Sequence, residues 1–193
     1  MLAVLLAAAC TGPVGAAQAP VPASPPASAS PAPAGRDAAA GSAGPVAAAV
    51  GVRFPDSGDA APVVPVGVAP DGQMEVPPEV DTVGWYRFGP RPGDPAGAAV
   101  LAGHVDDAVQ GPGAFHRLAD LGIGDRVEVD GADGVVRAFR VVETRALDKS
   151  ALPVTELFAR DGPPRLHLVT CGGPFDADAG GYRDNVVVAA EPW

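Results

Sequence analysis

Two cysteines, Cys10 and Cys171, are all that the 193-residue chain contains. Basic residues are also scarce, 13 Lys and Arg against 23 Asp and Glu for a net charge of −10. No basic run or arginine-rich face appears, which excludes a nucleic-acid partner. The acidity instead suits a surface domain that must stay soluble. Metal-ligand spacing is missing as well. His104, His116, His167 and Cys171 stand at none of the intervals of a zinc site. Asp176-Ala-Asp178-Ala-Gly180-Gly181 opens like a calcium loop, but the twelfth position from Asp176 is Val187 rather than a bidentate glutamate. No metal and no cofactor is expected.

Large apolar side chains are nearly absent from Thr11 to about Pro45, where almost every residue is Ala, Pro, Gly or Ser. Such a stretch cannot offset its ordering entropy, so residues 11–46 are expected to be a flexible, partly polyproline linker. In front of it, Met1 to Ala9 is an apolar run of nine residues, short of the ~20 that span a bilayer. The run fits the apolar region of an export signal, and Ala8-Ala9-Cys10 resembles the end of a bacterial lipoprotein signal. No basic residue precedes it, and Ala7 stands where leucine is usual, as a truncated start would explain. Residues 1–10 are therefore expected to be a lipoprotein-like signal or a truncated membrane anchor, with an ordinary cleaved signal as the alternative. The chain is expected at the extracytoplasmic face of the cell membrane, and Cys171 is then left there as an unpaired thiol. Such a thiol is either reactive or simply buried and inert, as core cysteines commonly are.

Residues 47–193 hold the aromatics and β-branched residues of a single core. Short β candidates follow one another: Val50 to Phe54, Pro62 to Val68, Gln73 to Val76 after the Asp71-Gly72 turn, Trp85 to Phe88, and the continuous apolar run Ala98 to Ala102. Phe115, Leu118 and Leu121 share the spacing of one helix face within residues 111–121, so a short helix or helical turn is expected there. A hairpin of Asp125 to Asp130 with Val135 to Thr144, a helical turn at Val154 to Phe158, and a last strand from Asn185 to Ala189 complete the pattern. At least seven short strands with little helix predict an all-β barrel or sandwich.

Residues 166–173, Leu166-His-Leu-Val-Thr-Cys-Gly-Gly173, alternate as a half-buried strand and end on two glycines. Cys171 is thus expected at a rigid strand mouth, a place suited to a nucleophile. A thiol is mostly protonated at neutral pH and wants an imidazole or a positive charge beside it. His167, four residues back, would lie about 13 Å away along the strand, and His116 falls in the helical segment as a surface residue. His104 follows Gly103 at the end of an apolar strand, the same kind of position as Cys171. Acyl transfer also needs a group to hold a developing oxyanion. Arg183, at the start of the last strand, can supply it, with Asn185 on the same face by the two-residue period.

Val100-Leu-Ala-Gly-His-Val-Asp106, Gly111-Pro-Gly-Ala-Phe115, Gly124-Asp125, Leu168-Val-Thr-Cys-Gly-Gly-Pro-Phe-Asp176 and Tyr182-Arg-Asp-Asn-Val-Val-Val188 resemble the actinobacterial class F sortases. The resemblance implies a closed eight-stranded β-barrel with one or two short helices, and a cysteine transpeptidase. Such an enzyme cleaves a Leu-Pro-X-Thr-Gly sorting signal after the threonine, holds the product as a thioester, and passes it to an amine of a cell-wall precursor or pilin. By the match Cys171 is the nucleophile, His104 the general acid and Arg183 the substrate and oxyanion contact. Thr170, Gly172 and Asn185 shape the oxyanion and substrate site. Many sortases carry the arginine where this chain has Asp184 or Asn185. The alternative is a non-catalytic β-barrel that binds peptide or cell-wall material.

Overall fold

A computed structural model describes residues 45–177 and 181–193. The signal-like segment 1–10 and the linker up to residue 44 lie outside the described residues. Among the described residues, no helix is long and apolar enough to cross a membrane.

In chain order the strands are β1 (Ala49–Phe54), β2 (Asp59–Val66), β3 (Val83–Tyr86), β4 (Ala98–Ala102), β5 (Asp106–Asp107), β6 (Gly111–Pro112), β7 (Arg126–Gly131), β8 (Val136–Asp148), β9 (Arg165–Asp176) and β10 (Gly181–Pro192). One α-helical turn, α1 (Val154–Leu157), and two 3₁₀ turns, Leu118–Asp120 and Lys149–Ala151, are the helical content of the described residues. Eight strands close into a barrel in the order β1-β2-β3-β4-β9-β10-β8-β7, and β5 and β6 form a separate two-stranded ribbon. The expected all-β eight-stranded barrel is the architecture the protein has. Pairing is antiparallel except between β2 and β3 and between β4 and β9.

Alternation decides which side chains fill the barrel. Leu166 and Leu168 of β9, Val186, Val188 and Ala190 of β10, and Ala99 and Leu101 of β4 meet Val127, Val129, Phe139 and Val141 inside. β4 reads as an unbroken apolar run because both of its faces are covered. All five of its residues are buried, and the backbone after α1 lies along its start, Ala98 N–H donating to Ala159 O at 2.8 Å.

Of the short helix or helical turn expected over 111–121, the structure has the helical turn, one 3₁₀ element at Leu118–Asp120 within a run of turns. Phe115 and Leu118 are still buried, since a spacing of three also serves the 3₁₀ period. The Gly111-Pro112 pair and the packing of Gly113 against His104 prevent a regular helix. The strand expected over Gln73 to Val76 is reduced to a single bridge between Val68 and Met74. Finally, β9 does not end at the two glycines after Cys171: its pairing with β10 runs on to Asp176 and Gly181.

His167 fastens α1 to the barrel. It is 4% exposed, and its Nδ1–H donates to Leu157 O at 3.0 Å. Burial pushes its pKa down, and the bond to Leu157 only partly opposes this. The folded state therefore holds neutral imidazole while the unfolded chain protonates at its ordinary value near 6.5. Stability from this group is complete above about pH 6.5 and is lost as pH falls towards the depressed folded value, at up to about 1.4 kcal/mol per pH unit. Urea midpoints between pH 7.5 and 5.5 should fall more steeply for the native protein than for His167→Gln; equal slopes would remove His167 as the cause.

Candidate active site

The register of three neighbouring strands brings the site together. In the parallel β4–β9 pair, Ala98 faces Arg165, Val100 faces His167 and Ala102 faces Val169. Gly103 N–H adds one more rung, donating to Val169 O at 3.1 Å. The same one-to-one advance carries His104 to the level of Cys171. Both side chains turn outward. Thr170 is buried in the barrel, so its neighbour Cys171 points out, and a Cβ on Gly103 would meet Phe115 and Val83 of the core at 3.1–3.2 Å, so His104 points out as well. On the other side, Asn185 of β10 lies directly opposite Cys171. Adjacent strands are about 4.8 Å apart. Cys171 thus has Asn185 directly beside it on the outer face, with His104 one residue past the last β4–β9 rung on its other side, and its thiol is free and half-buried.

Arg183 is two residues from Asn185, at a break in the ladder. Tyr182 pairs with Phe175 but Asp184 pairs with Gly172, so Gly173 and Pro174 of β9 oppose Arg183 alone. This is a β-bulge, and it fixes the sequence locally. Gly173 has φ +72°, and a Cβ there would run into the Asp184 carboxylate, so glycine is required on both counts. Arg183 is exposed, and no side-chain hydrogen bond or ion pair engages it among the described residues; its charge is felt by Asp148. The guanidinium is available to an incoming carbonyl or carboxylate.

His104 is held from two sides. Its ring Nε2 lies 2.8 Å from the Pro77 carbonyl, which can only accept, so Nε2 carries a proton and Nδ1 is left for chemistry. Its carbonyl accepts from Phe115 N–H at 3.0 Å. Gly113 packs so close to the His104 backbone that no side chain fits there. Asp107 is held below the usual carboxylate range, first by the amides of Gln110 and Val109 and to a smaller extent by the charge of His104.

The other expected residues are placed as follows. Thr170 donates its Oγ1–H to Gly103 O at 2.8 Å, which commits the hydroxyl to the barrel interior and ties the two strands beneath His104 and Cys171. Gly172 pairs with Asp184, and a Cβ on it would meet Val186 Cγ2 at 2.7 Å. His116 is exposed, with Nδ1 2.9 Å from Gly113 O. Sequence reasoning missed Pro77, Asp106 and Tyr182. The Tyr182 hydroxyl donates to Asp106 at 2.6 Å, a pairing across 76 positions that no local pattern announces.

The family model described as a sortase domain matches residues 52–193. The chain belongs to the sortase family. Solved structures similar to this sortase include sortase C-1 from Actinomyces oris, at 20% identity and TM-score 0.56, over 74% of this chain and 72% of that one. Sortase A from Corynebacterium diphtheriae is similar at 16% identity and TM-score 0.55, over 76% and 61%. Sortase C from Clostridium perfringens SM101 is similar at 18% identity and TM-score 0.54, over 78% and 71%. No curated protein matches the chain. Sortases are cysteine transpeptidases of the cell envelope that act on the sorting signals of surface proteins, and this sortase is a transpeptidase with one cysteine, Cys171, in its matched region.

Proposed function

We propose that this sortase is of the class F type, that it cleaves a Leu-Pro-X-Thr-Gly-like signal between threonine and glycine, and that Cys171, His104 and Arg183 carry the reaction. One observation carries the assignment: a cysteine transpeptidase domain with a single cysteine, which faces Asn185 on β10 and lies on the strand paired with the one that leads into His104. The motif set around His104, Cys171 and Arg183 supports class F.

In the first half-reaction Cys171 Sγ, as thiolate, attacks the threonine carbonyl carbon. The carbonyl oxygen takes the negative charge, and Arg183 stabilises it from the β10 side with Asn185 beside it. As the C–N bond breaks, protonated His104 gives its Nδ1 proton to the departing glycine amine, leaving a thioester on Cys171. In the second half an acceptor amine attacks the thioester carbonyl, its proton passes to His104 Nδ1, and Sγ leaves as thiolate. Thr170 contributes from beneath, through its bond to Gly103, and the side-chain-free Gly172-Gly173 backbone lets Val186 and Asp184 of β10 pack close beside the oxyanion site. The acceptor is an amine of a cell-wall precursor or pilin, and the N-terminal segment tethers the enzyme to the membrane.

Intact-mass measurement after mixing with a panel of such peptides tests this reading. A hydroxylamine-sensitive adduct on Cys171 supports it, while peptide binding without adduct or cleavage supports a non-catalytic binding module instead. In the same assay Arg183→Ala should slow acylation about 10²-fold, with Arg183→Lys recovering part of the loss. Unchanged acylation in Arg183→Ala would remove the arginine from the mechanism.

A further inference from the structure

We propose that Tyr182 and Asp106 form a clasp that sets the separation of His104 and Cys171, a positioning role that rests on the catalytic assignment above. The need for one follows from where the backbone ladder stops. β4 and β9 are joined through Ala102, Val169 and the Gly103 N–H rung, and β4 then ends. His104 and Cys171 are the first pair beyond that end, so backbone pairing between these strands does not hold them together.

Two side-chain hydrogen bonds bracket the gap instead. Below it, Thr170 Oγ1 donates to Gly103 O at 2.8 Å. Above it, Tyr182 Oη donates to Asp106 Oδ2 at 2.6 Å. Asp106 follows His104 by two positions and belongs to the β5–β6 ribbon, where it faces Pro112. Tyr182 belongs to the part of the β9–β10 hairpin that runs beyond Cys171. The clasp therefore ties the segment that leaves His104 to the segment that leaves Cys171.

Tyr182 is itself well placed. Its ring meets its cross-strand partner Phe175 edge-on at 5.3 Å, which limits where the hydroxyl can swing. The hydrogen bond to Asp106, with burial, raises the phenol pKa, so Tyr182 stays protonated and donating at all working pH; the Cys171 charge adds to the shift, which places the phenol in the electrostatic neighbourhood of the thiol. Small errors in the placing of two reacting groups are costly in rate, with ~1 Å worth about 10²-fold. The clasp acts on geometry while peptide contacts are left in place, so its loss should fall on kcat.

The test uses the full chain, a fluorogenic Leu-Pro-X-Thr-Gly peptide and hydroxylamine as acceptor. Tyr182→Phe deletes one hydroxyl and Asp106→Ala deletes its acceptor. Each should lower kcat about 10-fold with KM within about two-fold. The Tyr182→Phe, Asp106→Ala double variant should be no slower than either single one, because both remove the same bond. Asp106→Asn keeps an accepting oxygen and should recover most of the kcat lost in Asp106→Ala. Full kcat in Tyr182→Phe, losses that multiply in the double variant, or an effect confined to KM would each overturn the clasp. Cys171→Ala is run alongside. If it is inactive while Tyr182→Phe is unimpaired, the clasp alone fails; if it remains active, the catalytic assignment fails and the clasp with it.

Discussion

Cys171→Ala is expected to lose thioester formation altogether and to cut peptide cleavage and transfer by at least about 10³-fold. No second thiol can substitute, because the only other cysteine, Cys10, lies outside the region that matches the sortase domain. A general collapse of the fold would not account for the loss. The Cys171 side chain is half-buried on the outer face, and the rungs that hold β9 at this point are made by backbone, with Asn185, Val186 and Val187 facing Cys171, Thr170 and Val169. The variant should therefore keep the native circular dichroism spectrum and a melting temperature within a few degrees of the parent. Cys171→Ser should behave similarly, since a hydroxyl without a strong base beside it is a far weaker nucleophile. Residual transfer in Cys171→Ala above the uncatalysed background would show that the nucleophile lies elsewhere.

The elements with the strongest internal pattern were legible in the sequence. Ala98 to Ala102 announces a strand covered on both faces, and Leu166 to Cys171 announces one with a single face in the core, although α1 covers part of its outer face at His167. The turn at Gly131 to Gly134 likewise announces the β7–β8 hairpin. Strand length was less legible, because a partner in space sets it. Gly172 and Gly173 read as an exit, yet β10 is long enough to carry the ladder past them through a bulge that needs Gly173 in its left-handed conformation. The mouth exists on one side only, where β4 stops and β9 continues unaccompanied. For the site, equal strand-end positions pointed to His104, and the parallel register of β4 and β9, paired as far as Ala102 and Val169, runs the two strands side by side up to the residues just before His104 and Cys171. Arg183 was legible as a charge at the start of the last strand but not as the residue opposite a bulge. Pro77, whose carbonyl fixes the His104 tautomer, and the Tyr182–Asp106 bond were not legible, because loops far apart in sequence meet only once the barrel closes.

His104 should divide its contribution between substrates in a way that reveals its role. With a peptide, the leaving group is an amine that cannot depart as an anion, so the acid that protonates it is worth about 10²–10⁴-fold. His104→Gln should lose acylation by that factor. With an activated ester of the same acyl sequence, the leaving group departs without a proton and the variant should lose less than about 10-fold. The orientation of the ring makes this comparison clean. Pro77 O occupies Nε2–H and leaves Nδ1 as the nitrogen free for proton transfer, and glutamine can still donate to Pro77 while offering no comparable acid. The Gly113 contact and the Phe115 bond to the His104 backbone persist in the variant, so the Cys171 flank keeps its shape. Alkylation of Cys171 by iodoacetamide reports separately whether the thiolate itself has been disturbed. An equal loss on peptide and activated ester would mean that His104 acts on the thiol rather than on the departing amine, and the acid would have to be sought in another residue.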